Sequence, residues 1–267
     1  MQVGLPGNRQ KGYDSMFVEV CGLSDIGRRR ELNEDSFRIC GFEDGASKGV
    51  AVLADGMGGH NAGEIASSKA AELIATDLAT SLDETDEKKI SLNIAAAIDF
   101  ANSEIYKMSL KNYEQAGMGT TVVVAFVREG HVRIANIGDS CAYVVSPRRI
   151  RKITVDHSVV EELVQSGTIT REEARNHPDK NIITRAVGTE EYVDADFFDY
   201  APVGDEVILL CSDGLTEMVR ETAIRKIINS TENLHEAVSA LIDAANEGGG
   251  VDNITVIALR FKKEEEV

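Results

Sequence analysis

Apolar positions recur along this chain in two rhythms, one of period two and one near 3.6, and the two occupy separate stretches. Residues 17–23 alternate apolar and polar and predict a strand. Residues 36–42 and 49–54 predict a second and a third, and short strands in succession favour antiparallel pairing. The third run stops at Asp55, and four glycines follow closely: Gly56, Gly58, Gly59 and Gly63. One Asp-Gly taken alone is a turn, with glycine supplying positive φ. After it the rhythm becomes helical. Asn61, with Glu64 three residues on, has the form of a capping box. Ile65, Ala66, Ala70, Leu73, Ile74 and Leu78 then share one face. A longer helix over 87–110 carries Ile90, Ile94, Ala97, Ile98, Ala101, Ile105 and Met108 at three- and four-residue spacing. The two predict an αα-hairpin about a polar link at 83–86.

From Gly119 the period returns to two. Strands are predicted over 120–127, 131–137, 141–145 and 150–153, with breaks at Glu129-Gly130 and Gly138-Asp139-Ser140. Residues 156–177 are polar, hold few large apolar side chains, and predict a surface excursion over the sheets. Residues 182–187 and 192–198 read as β-like, and 206–211 as a deeply buried strand. Helices follow over 221–229 and 234–245, then a flexible glycine loop at 248–250 and a last strand over 253–261. Helices segregated from mostly antiparallel strands indicate an α+β fold and argue against a parallel βαβ one.

Composition narrows the classes. A chain of 267 residues is ample for a sizeable core. The formal net charge of −17 disfavours nucleic acid and anionic membranes as partners. The N-terminal stretch lacks the apolar core of a signal peptide, and no apolar run reaches the ~20 residues that span a bilayer. Cys21, Cys40, Cys141 and Cys211 lie far apart and read as buried free thiols, which fits a reducing cytoplasm.

Candidate chemistry then comes from four aspartates. Asp55, Asp139, Asp213 and Asp252 each stand at the end of an apolar run beside glycine or asparagine, and each alone reads as a turn residue. Strand ends on one edge of a sandwich can converge, where bare carboxylates would repel one another. Divalent cations would remove that cost. All-oxygen ligation without a Cys or His cluster points to Mg2+ or Mn2+. Such a pair suits phosphate-ester hydrolysis by activating a bridging water and clamping the attacking and leaving oxygens. The polar connection Arg28-Arg29-Arg30-Glu31-Leu32-Asn33-Glu34-Asp35 adds a cation able to grip phosphate oxygens. Glu34 and Asp35 read either as acceptors for metal-held water or as a plain polar loop.

Eight segments in order, RELNED, ADGMGGHNAGEIAS, MGTTVVVA, ANIGDSCAYV, TVDHS, NIITRAVGT, LLCSDGL and DNITVIAL, make the chain resemble the PP2C-type (PPM) metal-dependent protein serine/threonine phosphatases in their bacterial form, from Glu19 to Arg260. The resemblance implies a four-layer αββα sandwich, two antiparallel sheets flanked by helix pairs, in one domain over 16–262. Residues 1–15 and 263–267 are then tails, the first mobile and the second charged. Asp55 is implied to bridge two metals, with the Gly56 carbonyl, Asp213 and Asp252 completing the ligands. Asp139, with Asp213, matches a third, weaker site. Arg30 matches the phosphate-binding arginine, Glu34 and Asp35 the acids that hold metal waters, and 156–179 the flap beside the site. Thr120 and Asn253 fall at supporting positions. His60, at the place of a histidine in bacterial members, either protonates the leaving alkoxide or only structures the glycine loop. Met57 stands where eukaryotic members have histidine. Cys141 stands where arginine is frequent, a change expected at a surface contact, and His157 and His177 are expected at the surface of the flap.

The resemblance therefore implies a cytoplasmic, monomeric hydrolase of phosphoserine and phosphothreonine esters, working by in-line attack of a metal-bridging hydroxide. Its partners would be phosphoproteins, including a Ser/Thr kinase or that kinase's substrates. The rivals are a pseudophosphatase that binds phosphoproteins without turnover and a different metal-dependent phosphoesterase.

Overall fold

The computed structural model describes residues 16–43, 47–58 and 62–263. Among them the elements run β1 (Met16–Asp25), β2 (Asp35–Cys40), β3 (Lys48–Met57), α1 (Ala62–Ala79), α2 (Glu87–Lys111), β4 (Gly119–Thr120), β5 (Val122–Arg128), β6 (His131–Ile137), β7 (Cys141–Val145), β8 (Ile150–Lys152), α3 (Val159–Gln165), α4 (Arg171–Arg175), β9 (Asp196–Tyr200), β10 (Val207–Cys211), α5 (Asp213–Met218), α6 (Glu221–Ile228), α7 (Leu234–Glu247) and β11 (Ile254–Lys263).

The strands form two sheets. One has the order β1-β11-β10-β7-β8, the other β2-β3-β5-β6-β9, with the short β4 also paired to β3. Every described strand pair is antiparallel. The sheets pack face to face through Leu53, Val123 and Ile134 on one side and Val144, Ile208, Leu210 and Ile257 on the other. The outer face of the second sheet, with Val52 and Val124, is covered by Ile74, Leu78, Ile94 and Ile98 of α1 and α2. The outer face of the first, with Leu209 and Val256, is covered by Leu215, Ile224, Val238 and Leu241 of α5, α6 and α7. This is the expected αββα sandwich. It also explains why β3, β5 and β10 read as unbroken apolar runs: both faces of each are buried, so Val52 looks one way and Leu53 the other. Each Leu or Ile so placed contributes roughly 1.5–3 kcal/mol by leaving water.

Three expectations are corrected. Strand β3 does not stop before Asp55 but runs on through Met57, with Asp55 paired in register to Asp35 of β2. Residues 182–187 and 192–195 are not strands. Their only β-type pairings among the described residues are isolated bridges, Ile183 to Ser158 ahead of α3 and Val187 to Thr120 of β4. Their β-branched side chains carry strand propensity, yet no neighbouring strand runs beside them in register, and propensity without a partner does not make a strand. The six-residue α5 was absent from the sequence reading because DGLTEM is too short to show a helical period. The glycine loop after α7 is a capped turn rather than a loose one: Gly248 donates to the Ala244 carbonyl, and the Gly250 carbonyl accepts from Arg28 N–H at 2.6 Å. The predicted Asn61 cap, His60 and both tail assignments (save Lys263, which closes β11) lie outside the described residues.

Candidate active site

The four aspartates come from four different places in the topology and meet at one end of the sandwich. Asp55 is near the end of β3, Asp139 follows β6, Asp213 opens α5 just after β10, and Asp252 precedes β11. A cleft of about 220 Å³ is lined by all four, together with Arg30, Glu34, Gly56, Met57, Gly58, Thr121, Asn181 and Ile183. Among the described lining, Arg30 is the single cation. Its Nη2 donates to Asp252 Oδ2 at 2.7 Å, and Nη1 lies 3.8 Å from Glu34 Oε2.

The backbone around Asp55 is fixed by threonines. Thr120 Oγ1 donates to the Asp55 carbonyl at 2.9 Å, Thr121 N–H donates to the same oxygen at 2.8 Å, and Asp55 N–H donates to Thr121 Oγ1 at 3.0 Å. Gly56 is required by close approach rather than by positive φ. A Cβ there would lie 2.1 Å from the Gly63 carbonyl oxygen and 2.7 Å from that of Glu34. Asn253 ties in the Arg30 connection, accepting from Glu34 N–H at 2.8 Å and donating to the Ile26 and Leu32 carbonyls at 3.0 and 2.9 Å. Asp35 does not line the cleft. It is buried behind Asp55, where Ser212 Oγ donates to its Oδ2 at 2.8 Å.

Burying this many carboxylates together is costly, and the titration of the group records it. Burial pushes Asp35 up to about 6, against the pull of hydrogen bonds from Thr255 and Ser212. Burial, then the nearby Asp156, pushes Asp139 up to about 6. Asp55 and Asp213 rise well above the usual carboxylate range, first through burial and then through their acidic neighbours, Asp35 and Asp139 foremost. Two oxygens, Asp213 Oδ1 and Asp35 Oδ1, are buried without a hydrogen-bond partner. A hard cation meets both needs, since it takes oxygen ligands and restores the charged form. Among the described residues no three carboxylates already stand as a closed ligating cage, so the fit rests on the donor set and the orphaned oxygens.

A protein phosphatase 2C family model matches residues 22–245 of the sequence. The chain belongs to the protein phosphatase 2C family. It is 40% identical, over 88% of its length and 92% of the relative's, to the serine/threonine phosphatase stp of Listeria monocytogenes serotype 4b. It superposes on the crystal structure of the serine/threonine phosphatase Stp1 from Staphylococcus aureus with a TM-score of 0.83 at 35% identity, covering 96% of this chain and 99% of that one. The catalytic domain of the phosphatase PstP, solved with two manganese ions, matches with a TM-score of 0.79 at 31% identity over 93% and 100% of the two chains.

Several residues of this protein phosphatase 2C cleft escaped the sequence reading. Thr121 and Ser212 sit beside predicted positions, but only the folded registers turn them inward. His157 was expected at the surface. It is instead 5% exposed, and its Nδ1 accepts from Gly138 N–H at 3.1 Å while its Nε2 lies 3.3 Å from Asp196 Oδ2. Nδ1 is thus the acceptor and Nε2–H the donor in the neutral ring. Cys141, also expected to alter a surface contact, is fully buried. His177 is partly exposed. The stretch expected as a flap folds as α3 and α4, organised by an N-cap at Ser158, a capping box at Thr170 and Glu173, and the Arg171–Glu161 ion pair.

Proposed function

We infer that this chain is a metal-dependent protein serine/threonine phosphatase, which hydrolyses phosphoserine and phosphothreonine esters in proteins. Its family and its relatives' activity support the reaction class. The observation that carries the site assignment is the convergence of Asp55, Asp139, Asp213 and Asp252 with Arg30 on one cleft. A binding-only pseudophosphatase would have no need of a complete acidic set, and no second reading is favoured.

The residues divide the work. Asp55, Asp213, Asp252 and the Gly56 carbonyl would hold two divalent cations, Mn2+ or Mg2+, and Asp139 with Asp213 a weaker third. When bound, the cations supply Lewis acidity toward water and toward the phosphoryl oxygens. Arg30 is half-exposed, and Asp252 and Glu34 hold its guanidinium at the cleft. From there it can offer paired N–H groups to a phosphoryl group and stabilise charge developing on it. Glu34 would order water at the acidic cluster, while Asp35, expected in the same role, stands buried behind Asp55. Asn253, Thr120 and Thr121 keep Arg30's connection and Asp55 in place, so that little reorganisation accompanies the reaction. His60 stays a candidate for protonating the leaving alkoxide. Room for polypeptide exists beside the cleft: Met57 and Ile183 also line a groove of about 450 Å³ that runs along residues 183–194.

The substrates would be phosphoproteins under the control of a Ser/Thr kinase, with the phosphatase acting as a cytoplasmic monomer. No helix among the described residues is long and apolar enough to cross a membrane. The decisive measurement compares turnover of phosphopeptides, nucleotides and DNA with Mn2+, with Mg2+ and with chelator. Metal-dependent turnover confined to phosphopeptides is expected. Full turnover by Asp55→Asn would sink the site assignment.

A further inference from the structure

Two of the four cysteines face each other directly behind the cleft. Cys141 opens β7 and Cys211 closes β10, and the two are antiparallel partners in register. Their Sγ atoms lie 3.8 Å apart, both side chains fully buried on the face that packs against α5, α6 and α7. Directly opposed residues of an antiparallel pair have Cα atoms ~4.5–5.5 Å apart. A disulfide accepts Cα separations of ~4.4–6.8 Å. The backbone separation is therefore within the range a disulfide accepts, and closing the sulfurs from 3.8 Å to the ~2.05 Å of an S–S bond takes side-chain rotation together with a small shift of both strand ends. Cys21 and Cys40 sit on β1 and β2, in different sheets, and serve as internal controls.

What sets this pair apart is where its strands lead. Cys141 is two residues beyond Asp139, and Cys211 two residues before Asp213. The residues between are both buried serines that bond to the cleft's supports. Ser140 Oγ lies 2.7 Å from Thr121 Oγ1, the hydroxyl that accepts from Asp55 N–H, and Ser212 Oγ donates to Asp35. Drawing the two sulfurs together therefore moves backbone that carries two of the acidic side chains and the supports of two more. Neither sulfur lines a cavity, but a cavity of about 410 Å³ between α3–α4 and α5–α6 is lined by Asp139, Asp213 and Tyr143, and Tyr143 is the next side chain along the Cys141 face of β7, so a reagent reaches the pair by displacement of that ring.

We propose that Cys141 and Cys211 are a disulfide-forming modification site, closed by peroxides, and that the bond weakens cation binding on the Asp139–Asp213 side of the cleft. The second half rests on the function proposed above; the first does not. One thiol attacks the peroxide O–O bond, becoming a sulfenic acid and releasing water. The other thiol attacks that sulfur, forming the S–S bond and expelling a second water. Two thiols give up two electrons and two protons, and one hydrogen peroxide is reduced to two waters. A dithiol reductant reverses the change.

The test uses the full chain carrying Cys21→Ser and Cys40→Ser, so that only the pair remains. Hydrogen peroxide is titrated in, free thiols are trapped by alkylation under denaturing conditions, and intact mass is read. The expected product has lost two hydrogens, takes up no alkylating agent, and recovers both thiols with dithiothreitol. Mn2+ affinity, read by calorimetry, should weaken roughly tenfold, as for other loss of ligand support, and phosphopeptide turnover should fall with it. Cys141→Ala and Cys211→Ala, each separately, should keep affinity and turnover under the same peroxide. Products that only gain oxygen, or two thiols that persist, would overturn the bond. A formed bond with unchanged Mn2+ affinity, or alanine variants that lose turnover equally, would overturn its effect on the site. Absence of turnover in untreated protein would count against the proposed function alone, since the mass and thiol readouts stand without it.

Discussion

The two sides of the cleft are built differently. On the side of Asp55, Gly56 and Asp252, the supports are buried and mostly backbone-directed: Thr120, Thr121 and Asn253 contribute hydrogen bonds from side chains that are 0–4% exposed. On the side of Asp139 and Asp213, the neighbours are the exposed helices α3 and α4 and a set of ion pairs, Lys152 with Asp156, Arg171 with Glu161 and Lys180 with Glu217. Part-buried ion pairs between long, flexible side chains fix geometry less tightly than hydrogen bonds from buried Thr and Asn side chains. The first side is thus rigid and the second adjustable. Chemistry that needs fixed geometry belongs on the first, and substrate entry and modulation on the second.

The largest test of this division compares two aspartates. Asp55→Asn should lower kcat/KM for a phosphopeptide by roughly a thousandfold, about 4 kcal/mol of transition-state stabilisation. Asp139→Asn should lower it by only roughly tenfold, about 1.4 kcal/mol on the same scale. Steady-state kinetics at saturating Mn2+ reads both. Equal losses would mean that the two sides do equal work and that the aspartates are ranked wrongly.

Next comes Gly56→Ala. The added methyl would meet two backbone carbonyls, which cannot swing aside as a side chain can. A stability loss of about 1–3 kcal/mol is expected from the overpacking, with roughly a hundredfold in turnover from displacing the cleft by a fraction of an ångström. Gly167→Ala is the contrast: it sits in the turn after α3, and nothing lies within 4 Å of its Cβ position. Its positive φ costs some stability, and its turnover should stay near wild type. Thermal unfolding with kinetics on both variants separates the two effects.

These two tests also mark what was legible in the sequence. The four aspartates stood out because each closes or opens an apolar run, and a strand that is buried on both faces announces its own limits. The α+β class followed from where periods of two gave way to periods of 3.6, and the four-layer order was what the family resemblance implied. The wiring did not follow. Asp35 and Asp55 face each other through a strand register that no single run encodes, and Gly56 looks like a turn glycine although β3 passes straight through it. Thr121 and Ser212 are ordinary hydroxyl residues until the strands beside them fix their direction. The stretch 182–195 misled because strand propensity was present and the neighbouring strand was not.

A smaller effect on turnover is expected from Asn253→Ala. The variant strips partners from Glu34 N–H and the Ile26 and Leu32 carbonyls at once. Bare buried partners cost ~1–3 kcal/mol each, and water can reach some of them, so a loss of about 2–4 kcal/mol is expected. The distinguishing readout is KM, since Arg30 hangs from the freed connection. A rise in KM for phosphopeptide at nearly unchanged kcat would show the rigid side positioning the phosphate-binding cation. A fall in kcat alone would mean that Asn253 serves Asp252 instead.

The smallest effect, and the sharpest in sign, belongs to His157, which holds the backbone beside Asp139 on the adjustable side. Burial lowers its pKa below the ordinary value, outweighing the opposing pull of Asp196. The folded protein thus prefers the neutral ring, whose Nδ1 accepts from Gly138 N–H beside Asp139. The unfolded chain binds the proton more readily, so this contribution to stability is complete above the unfolded value of about 6.5. It is lost as pH falls through the lower folded value, where Nδ1–H would confront the Gly138 N–H. His157→Gln has no proton to take up in this range. Its melting temperature should start lower at pH 8, by an amount on the order of 1 kcal/mol for the altered hydrogen bond. Between pH 7 and pH 5 it should then decline less steeply than wild type. Parallel curves would place the acid sensitivity elsewhere, in the carboxylate cluster itself, and would leave the backbone beside Asp139 independent of pH.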